Sequence, residues 1–284
     1  MAIDTAPQTL PWRRIALSLS REELYVVMRL LKARQIPGFD TSWLHTDTDE
    51  HMPKDVRLSL EVAANDLIAR GYLSKIQLPT DAEPLQLTMP SPLIALVGAC
   101  AFSEFTMFLS LQRTPDGPRM LYLHGLRALG VVHTMPLPNV HQFEAVPNRN
   151  GIVDIIDEVL HLADQPAPEL RGGTISSANV EPARDAATAG DVEQAATLLQ
   201  RDGLPAETAY TLAAAMKDAS VMGAIISSKR AADNQVAPMA CAVVVTPALC
   251  FLLTGSEATP QMFELQPLSA YALRKLLANT LFTT

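Results

Sequence analysis

The densest group of side chains that could bind a metal lies in a short polar stretch in the N-terminal third of the chain. It contains His45, Asp47, Asp49, Glu50 and His51. Imidazole and carboxylate groups are ligands of divalent metals. However, the two histidines lack the spacing of ligands on a helix, and the acidic residues do not follow the calcium-loop pattern of an EF-hand. We interpret the stretch as a solvated acidic loop and predict no metal and no cofactor, with a metal site as the alternative.

A cysteine beside a histidine would be a second possible chemical site. Cys100 could meet His124 or His133 in the fold, as a nucleophile meets its general base. Cys100 lies in an apolar run, and Cys241 and Cys250 share no CxxC spacing. Isolated thiols in apolar runs are typical of core packing in a reducing compartment. The sequence therefore favours three buried thiols.

Common catalytic motifs are missing from the sequence. It contains no phosphate-binding loop of the GxxxxGK[ST] or GxGxxG type, no GxSxG elbow and no HExxH pair. We predict no catalytic residues and no enzymatic activity. An enzyme remains the alternative if the fold gathers His124, His133, His141 or Cys100 with a carboxylate in a deep pocket.

The overall charge argues against a nucleic-acid partner. The 284 residues have a net charge of −8, with 22 basic and 30 acidic side chains. Phosphate contacts need a clustered basic surface. The two helices predicted between Ser20 and Leu73 are compatible with a winged-helix pattern, but their exposed positions mix Lys54, Arg57 and Arg70 with acidic residues. DNA binding is therefore a minor alternative.

The N-terminal residues and the longest uncharged run bear on cellular location. The start, MAIDT, lacks the basic and apolar regions of a signal peptide. Residues 239–255 are uncharged but short for a membrane helix, rich in valine and interrupted by Pro247. This pattern predicts two strands joined at Thr246–Pro247. We predict a cytoplasmic protein without a membrane span.

The order of sequence patterns in the first half recurs in the second. Strand-like residues 105–113 and 120–134, followed by a helical pattern over 151–163, correspond to 222–230, 239–255 and 269–281 at an offset of about 120 residues. Solenoid repeats have periods of only about 20–50 residues. The long offset predicts an internal duplication into two related halves that pack together.

The predicted elements favour an α+β fold with two pseudo-symmetric halves. Each half has helices, an antiparallel four-strand meander and a closing helix. We predict an N-terminal α+β half over 1–163 and a C-terminal half over 188–284, together forming one domain. Residues 164–187 are rich in proline, glycine and small polar side chains and have no apolar period. They are expected to form a partly mobile linker.

Several segments resemble the EspG-type chaperones of type VII (ESX) secretion. They are an opening helix reading LSREELYVVMRLL from Leu19, a second helix ending LIARGYL from Leu67, and a helix-like run passing into a strand over 93–112. A Leu-rich terminal helix, LSAYALRKLLANTL from Leu268, completes the pattern. The similarity covers nearly the whole chain and includes the duplicated α/β halves.

The resemblance implies a non-enzymatic chaperone or adaptor. Proteins of this family bind the apolar helical tip of a secreted PE–PPE-type heterodimer, keep it soluble and target it for export. A surface for such a tip needs an apolar patch with a polar rim. We place it on the exposed side of the first meander and on its turn at Arg113–Pro118. The predicted contact residues are Met107, Leu109, Leu111, Arg113, Asp116 and Arg119.

A second type of binding protein would have the same predicted elements. A duplicated α+β adaptor could pair with itself through a sheet edge and form a homodimer. A stable homodimer without another partner would favour this alternative. A stoichiometric complex with a helical heterodimer would favour the EspG-like function.

Overall fold

The computed structural model describes residues 16–44, 52–76, 86–115, 117–146, 149–162, 169–230, 236–255 and 261–282. The chain divides into two compact units. The first takes residues 1–106 and 121–149, and the second takes 107–120 and 150–284. The stretch from His45 to His51, considered above as a metal site, lies outside the described residues.

The first unit combines helices with an antiparallel sheet in the order β1-β7-β6-β5 and a separate β2–β3 pair. Strands β4 and β5 each contribute residues to both units. The elements are β1 (Ala16–Ser20), α1 (Arg21–Leu30), a 3-10 turn (Ser42–Leu44), α2 (Lys54–Ala69), β2 (Ser74–Ile76), β3 (Gln86–Thr88), α3 (Ser91–Ala101), β4 (Phe105–Arg113), β5 (Arg119–Leu126), β6 (Leu129–Leu137) and β7 (Val140–Val146).

The spacing of Ser20 and Glu23 in the sequence is that of a capping box, and the structure forms this box at the start of α1. The Ser20 hydroxyl accepts the Glu23 N–H at 3.1 Å, and the Glu23 carboxylate accepts the Ser20 N–H at 2.7 Å. These bonds satisfy two main-chain donors that the first helical turn leaves without helical partners. Leu19 and Leu24, which occupy the two positions of a hydrophobic staple around this cap, are both buried in the core of this unit. The cap and staple therefore set the point where β1 ends and α1 begins.

Helix α2 is held to the same junction by one long side chain. Arg70 donates to the Glu23 carboxylate at 2.6 Å and to the Ser18 carbonyl at 2.8 Å. Leu60, Ala63 and Leu67 bury the inner face of the helix. The helix is therefore positioned on one side by apolar packing and at its end by a partly buried ion pair.

The second unit contains sheet strands in the order β4-β9-β10-β11-β12-β8. The pairs from β9 to β12, and the pair of β12 with β8, are antiparallel. Its remaining elements are α4 (Arg149–Leu160), β8 (Gly173–Ser176), α5 (Ser177–Thr188), α6 (Val192–Gln200), α7 (Ala206–Asp218), β9 (Val221–Arg230), β10 (Val236–Val245), β11 (Cys250–Gly255), β12 (Met262–Leu268) and α8 (Ala270–Phe282).

Within residues 164–187, which were expected to form a partly mobile linker, β8 and α5 form from Gly173 onward. Ala183 and Ala187 are fully buried in the core that α5 shares with α6 and α7. The sequence pattern missed this helix because its buried face consists of alanines, which give a weak apolar period. Pro182 inside the helix added a misleading breaker signal. Contacts with neighbouring helices stabilise α5 despite that proline.

The valine-rich run over 239–255 forms β10 and β11, as predicted. The strands are joined by a turn in which the Thr246 N–H donates to the Leu249 carbonyl at 2.8 Å. The Leu249 N–H donates back to the Thr246 hydroxyl at 2.9 Å. Across the described residues, none of the helices has the length and apolar character needed to span a membrane.

The element order agrees with the predicted α+β class. Each half of the chain has four consecutive strands followed by a helix: β4 to β7 with α4, and β9 to β12 with α8. The common origin of the two halves, and the domain boundaries at 163 and 188, stay predictions. Of the duplication pattern, local sequence signals specified only the order of the elements.

Candidate partner-binding surface

The predicted contact strand β4 has its apolar side chains in the core. Met107, Leu109 and Leu111 are 0%, 0% and 1% exposed. Side chains alternate between the faces of a strand, so the opposite face carries Ser110, which is half-buried, and Gln112, which is exposed. The prediction that these three apolar residues lie on an exposed face is therefore wrong. Their side chains pack in the core, beneath the exposed face of β4.

Arg113 connects the end of β4 to helix α7. Its guanidinium donates to the carbonyls of Lys217 at 2.8 Å and Met216 at 3.3 Å. Both carbonyls lie in the last turn of α7, where helical acceptors lack intrahelical donors and the helix dipole attracts a cation. Arg113 therefore anchors the turn after β4 to the helical part of the second unit.

The turn itself is closed by local bonds. The Thr114 hydroxyl donates to the Gly117 carbonyl, and the Gly117 N–H donates to the Thr114 carbonyl at 3.1 Å. Gly117 has φ 95°, a left-handed conformation that glycine adopts without steric cost. Asp116 lies outside the described residues, and Arg119 is half-buried. The turn is thus a defined feature that presents Pro115 and neighbouring side chains at the surface.

Strand β9 approaches β4 closely. A Cβ atom added at Gly223 would lie 2.3 Å from the Ser110 carbonyl oxygen and 2.7 Å from the Leu111 Cα atom. Further along β9, Ile226 is 44% exposed. It lies on the same face as Met222, which packs against the core of α5, α6 and α7. An apolar sheet surface is therefore exposed beside the helices.

The structure adds two surface residues that the sequence interpretation missed. Met120, at the start of β5, is 54% exposed, and Ile226 is exposed on β9. Each stands next to a buried apolar neighbour, Leu121 or Ile225. Adjacent residues in a strand point to opposite faces, so an apolar pair is a sequence signal that one member leaves the core. The pair by itself does not show which of its two residues is exposed.

Three histidines considered as catalytic candidates do meet in the first unit. The His133 Nε2 and His141 Nδ1 atoms are 2.9 Å apart, and the His124 Nδ1 lies 3.2 Å from the Thr106 hydroxyl. The His124 and His133 rings stack with centroids 5.9 Å apart. All three residues are buried, and the second ring nitrogen of His124 has no hydrogen-bond partner within the described structure.

Burial sets the protonation of this cluster. It lowers the pKa of His124 to about 3 and that of His141 to about 4. The pKa of His133 lies well below its usual value because of burial, with smaller contributions from the charges that His124 and His141 could carry. Neutral, enclosed imidazoles lack the access to substrate that a general base needs.

The cysteines also do not form a chemical site. Cys100 lies in the apolar core of the first unit, where burial raises the pKa of its thiol well above the usual value. Burial also raises the pKa of Cys241 to about 11 and that of Cys250 to about 12. Thiols of this kind react poorly as nucleophiles. Among the described residues, no group of three or more His, Cys, Asp or Glu side chains is arranged to hold a metal ion.

Comparison with known proteins connects this architecture with a chaperone. No protein-family model and no curated protein matches the sequence. A solved structure of the Mycobacterium tuberculosis type VII secretion system chaperone EspG5, in complex with the PE25–PPE41 dimer, matches over 94% of this chain and 95% of that chain. The TM-score is 0.58, and the sequences are 14% identical.

The chain has the EspG5 fold. The match spans both units and confirms the α+β, EspG-like architecture predicted from the sequence. At this level of identity the similarity concerns the fold, and function must be argued from the surface. Met120 and Ile226 are exposed apolar side chains of the second unit, which also contains the anchored turn.

Proposed function

We propose that the protein is a non-enzymatic cytoplasmic chaperone or adaptor of type VII secretion. Its partner is a PE–PPE-like helical heterodimer. The protein covers the apolar tip of this heterodimer and targets the heterodimer for export. The observation that carries the proposal is the agreement with EspG5 over nearly the full length of both chains. The function requires neither a cofactor nor a catalytic residue.

The surface of the second unit suits a helical tip. Ile226 presents apolar area on a sheet face that the packed helices α5 to α7 border, and Met120 adds a flexible apolar side chain. The exposed Gln112 provides a polar edge. The turn with Arg113, Asp116 and Arg119 remains the predicted rim of this surface. Its attachment to α7 limits the conformational entropy lost when a partner binds.

Co-expression tests this function directly. The tagged protein is produced with a PE–PPE-like heterodimer, purified, and analysed by mass. We expect a stoichiometric complex and a larger soluble fraction of the heterodimer. Recovery of the chain alone, or as a homodimer that excludes the heterodimer, would contradict the proposal.

Two substitutions locate the contact. Ile226→Asp and Met120→Asp each place a charge where an apolar contact is proposed, and we expect at least about a tenfold loss of affinity. Tyr271→Asp on α8 is the matched control, because Tyr271 is 68% exposed and lies outside the proposed surface. Circular dichroism verifies that all three variants fold. Equal heterodimer retention by all of them would exclude this surface.

A further inference from the structure

A second exposed apolar surface lies in the first unit, on helix α2. Leu58 is 59% exposed and Val62 is 52% exposed. They are four residues apart, so they lie on one side of the helix and form a short apolar ridge. Leu60 and Leu67 are buried on the opposite side. Packing of the buried side fixes the position of α2 and, with it, the position of the ridge.

The ridge borders a groove of about 460 Å³. Its other wall includes Ser20 and Glu22 at the junction of β1 and α1, and the small residues Ser59 and Ala63 line it as well. The Ser59 hydroxyl donates to the Val56 carbonyl within α2 at 2.8 Å. That donor is already satisfied, so covering the groove with an apolar side chain would not leave it unpaired.

The charges around the groove are predominantly negative. Asp55 and Asp66 line it at opposite ends of the Leu58–Val62 ridge, and Glu22 lines it from α1. Glu22 is paired with Arg21 at 2.8 Å. Within the described residues, the carboxylates of Asp55 and Asp66 have no ion pair. The two aspartates therefore leave a net negative potential along an apolar surface.

We propose that this α2 groove is a docking site for a basic amphipathic helix of a partner protein. Asp55 and Asp66 are separated by eleven positions in the sequence, or roughly 16 Å along the helix axis at about 1.5 Å per residue. The fitting helix carries two apolar side chains four residues apart, bracketed by lysines or arginines at about the same separation. Apolar contact supplies affinity, and charge complementarity supplies orientation.

The site goes beyond the proposed chaperone function and does not rest on it. It belongs to the first unit, whereas the surface proposed for the heterodimer tip belongs to the second. Loss of one interaction should therefore leave the other intact. Heterodimer binding by the α2 variants distinguishes failure of this inference from failure of the proposed function.

The test uses the full chain and two synthetic helical peptides. The first carries a Leu pair four residues apart, bracketed by lysines; the second has glutamates in place of those lysines. Fluorescence anisotropy should show that the lysine peptide binds at least about tenfold more tightly, and that added salt weakens its binding. Equal binding of both peptides, or binding of neither, would overturn the proposal.

Variants then test the groove itself. Leu58→Ser with Val62→Ser should reduce binding of the lysine peptide by at least about tenfold. Asp55→Lys with Asp66→Lys should reverse the preference in favour of the glutamate peptide. Tyr271→Ser is the exposed control and should change neither affinity. If the wild type dimerises and the Leu58–Val62 double variant does not, a second copy of the chain occupies the groove and the proposal is wrong.

Discussion

At the scale of single residues, the buried histidines link the stability of the first unit to pH. His124 and His141 have pKa values of about 3 and about 4 in the folded chain, against 6.5 for an ordinary histidine. The unfolded chain therefore binds more protons below pH 6.5. Their contribution to stability is complete above that pH and decreases as the pH falls toward the folded values.

We predict that unfolding by denaturant will require less denaturant at about pH 5.5 than at about pH 7.5. At about pH 5.5, keeping one such histidine neutral in the folded chain lowers the free energy of unfolding by roughly 1.4 kcal/mol. His124→Gln should reduce this pH dependence, because glutamine does not titrate. His161→Gln is the matched control, since His161 is exposed. A pH profile that is the same in wild type and His124→Gln would contradict the prediction.

At the scale of elements, the turn after β4 depends on α7 for its position. Arg113 supplies the hydrogen bonds from β4 to the carbonyls at the end of that helix. No sequence pattern indicates this contact, because the partner atoms are main-chain carbonyls about a hundred residues away. Arg113 was predicted to contact a partner, and in the structure its side chain anchors the turn to α7.

We predict that Arg113→Ala lowers the free energy of unfolding by about 1–2 kcal/mol, because two hydrogen bonds and a favourable helix-end charge are lost. Arg113→Lys should retain part of the charge interaction but lose the forked geometry. Arg34→Ala is the control, since Arg34 is exposed in the segment after α1. Equal stability of Arg113→Ala and Arg34→Ala in urea would show that the anchor contributes nothing.

At the scale of the whole molecule, the charge balance restricts the partners. A net charge of −8 opposes association with phosphate backbones. Of the basic residues in the suggested winged-helix segment, Arg70 is committed to Glu23 and Ser18 within the unit. The charge therefore disfavours a nucleic-acid partner.

We predict no shift of duplex DNA in a gel assay at about 50 mM salt, where phosphate contacts are strong. A basic DNA-binding protein of known affinity is the positive control. Retarded DNA that is released by added salt would contradict this prediction and revive the winged-helix alternative.

Local signals predicted much of the fold. The Ser20–Glu23 cap, the strand alternation and the turn at Thr246 each depend on residues close together in the chain, so backbone geometry alone relates the pattern to the structure. Helix α5 escaped prediction because its stability comes from packing of Ala183 and Ala187 against other helices.

The sequence by itself determined the type and order of the elements, the α+β class and the acidic surface charge. Tertiary structure decided which side of each element is exposed. It buried Met107, Leu109 and Leu111, left Ile226 rather than Ile225 at the surface, and gathered three histidines from successive strands. The reason is physical: periodicity specifies that a strand has two faces, but exposure depends on which distant segments cover each face.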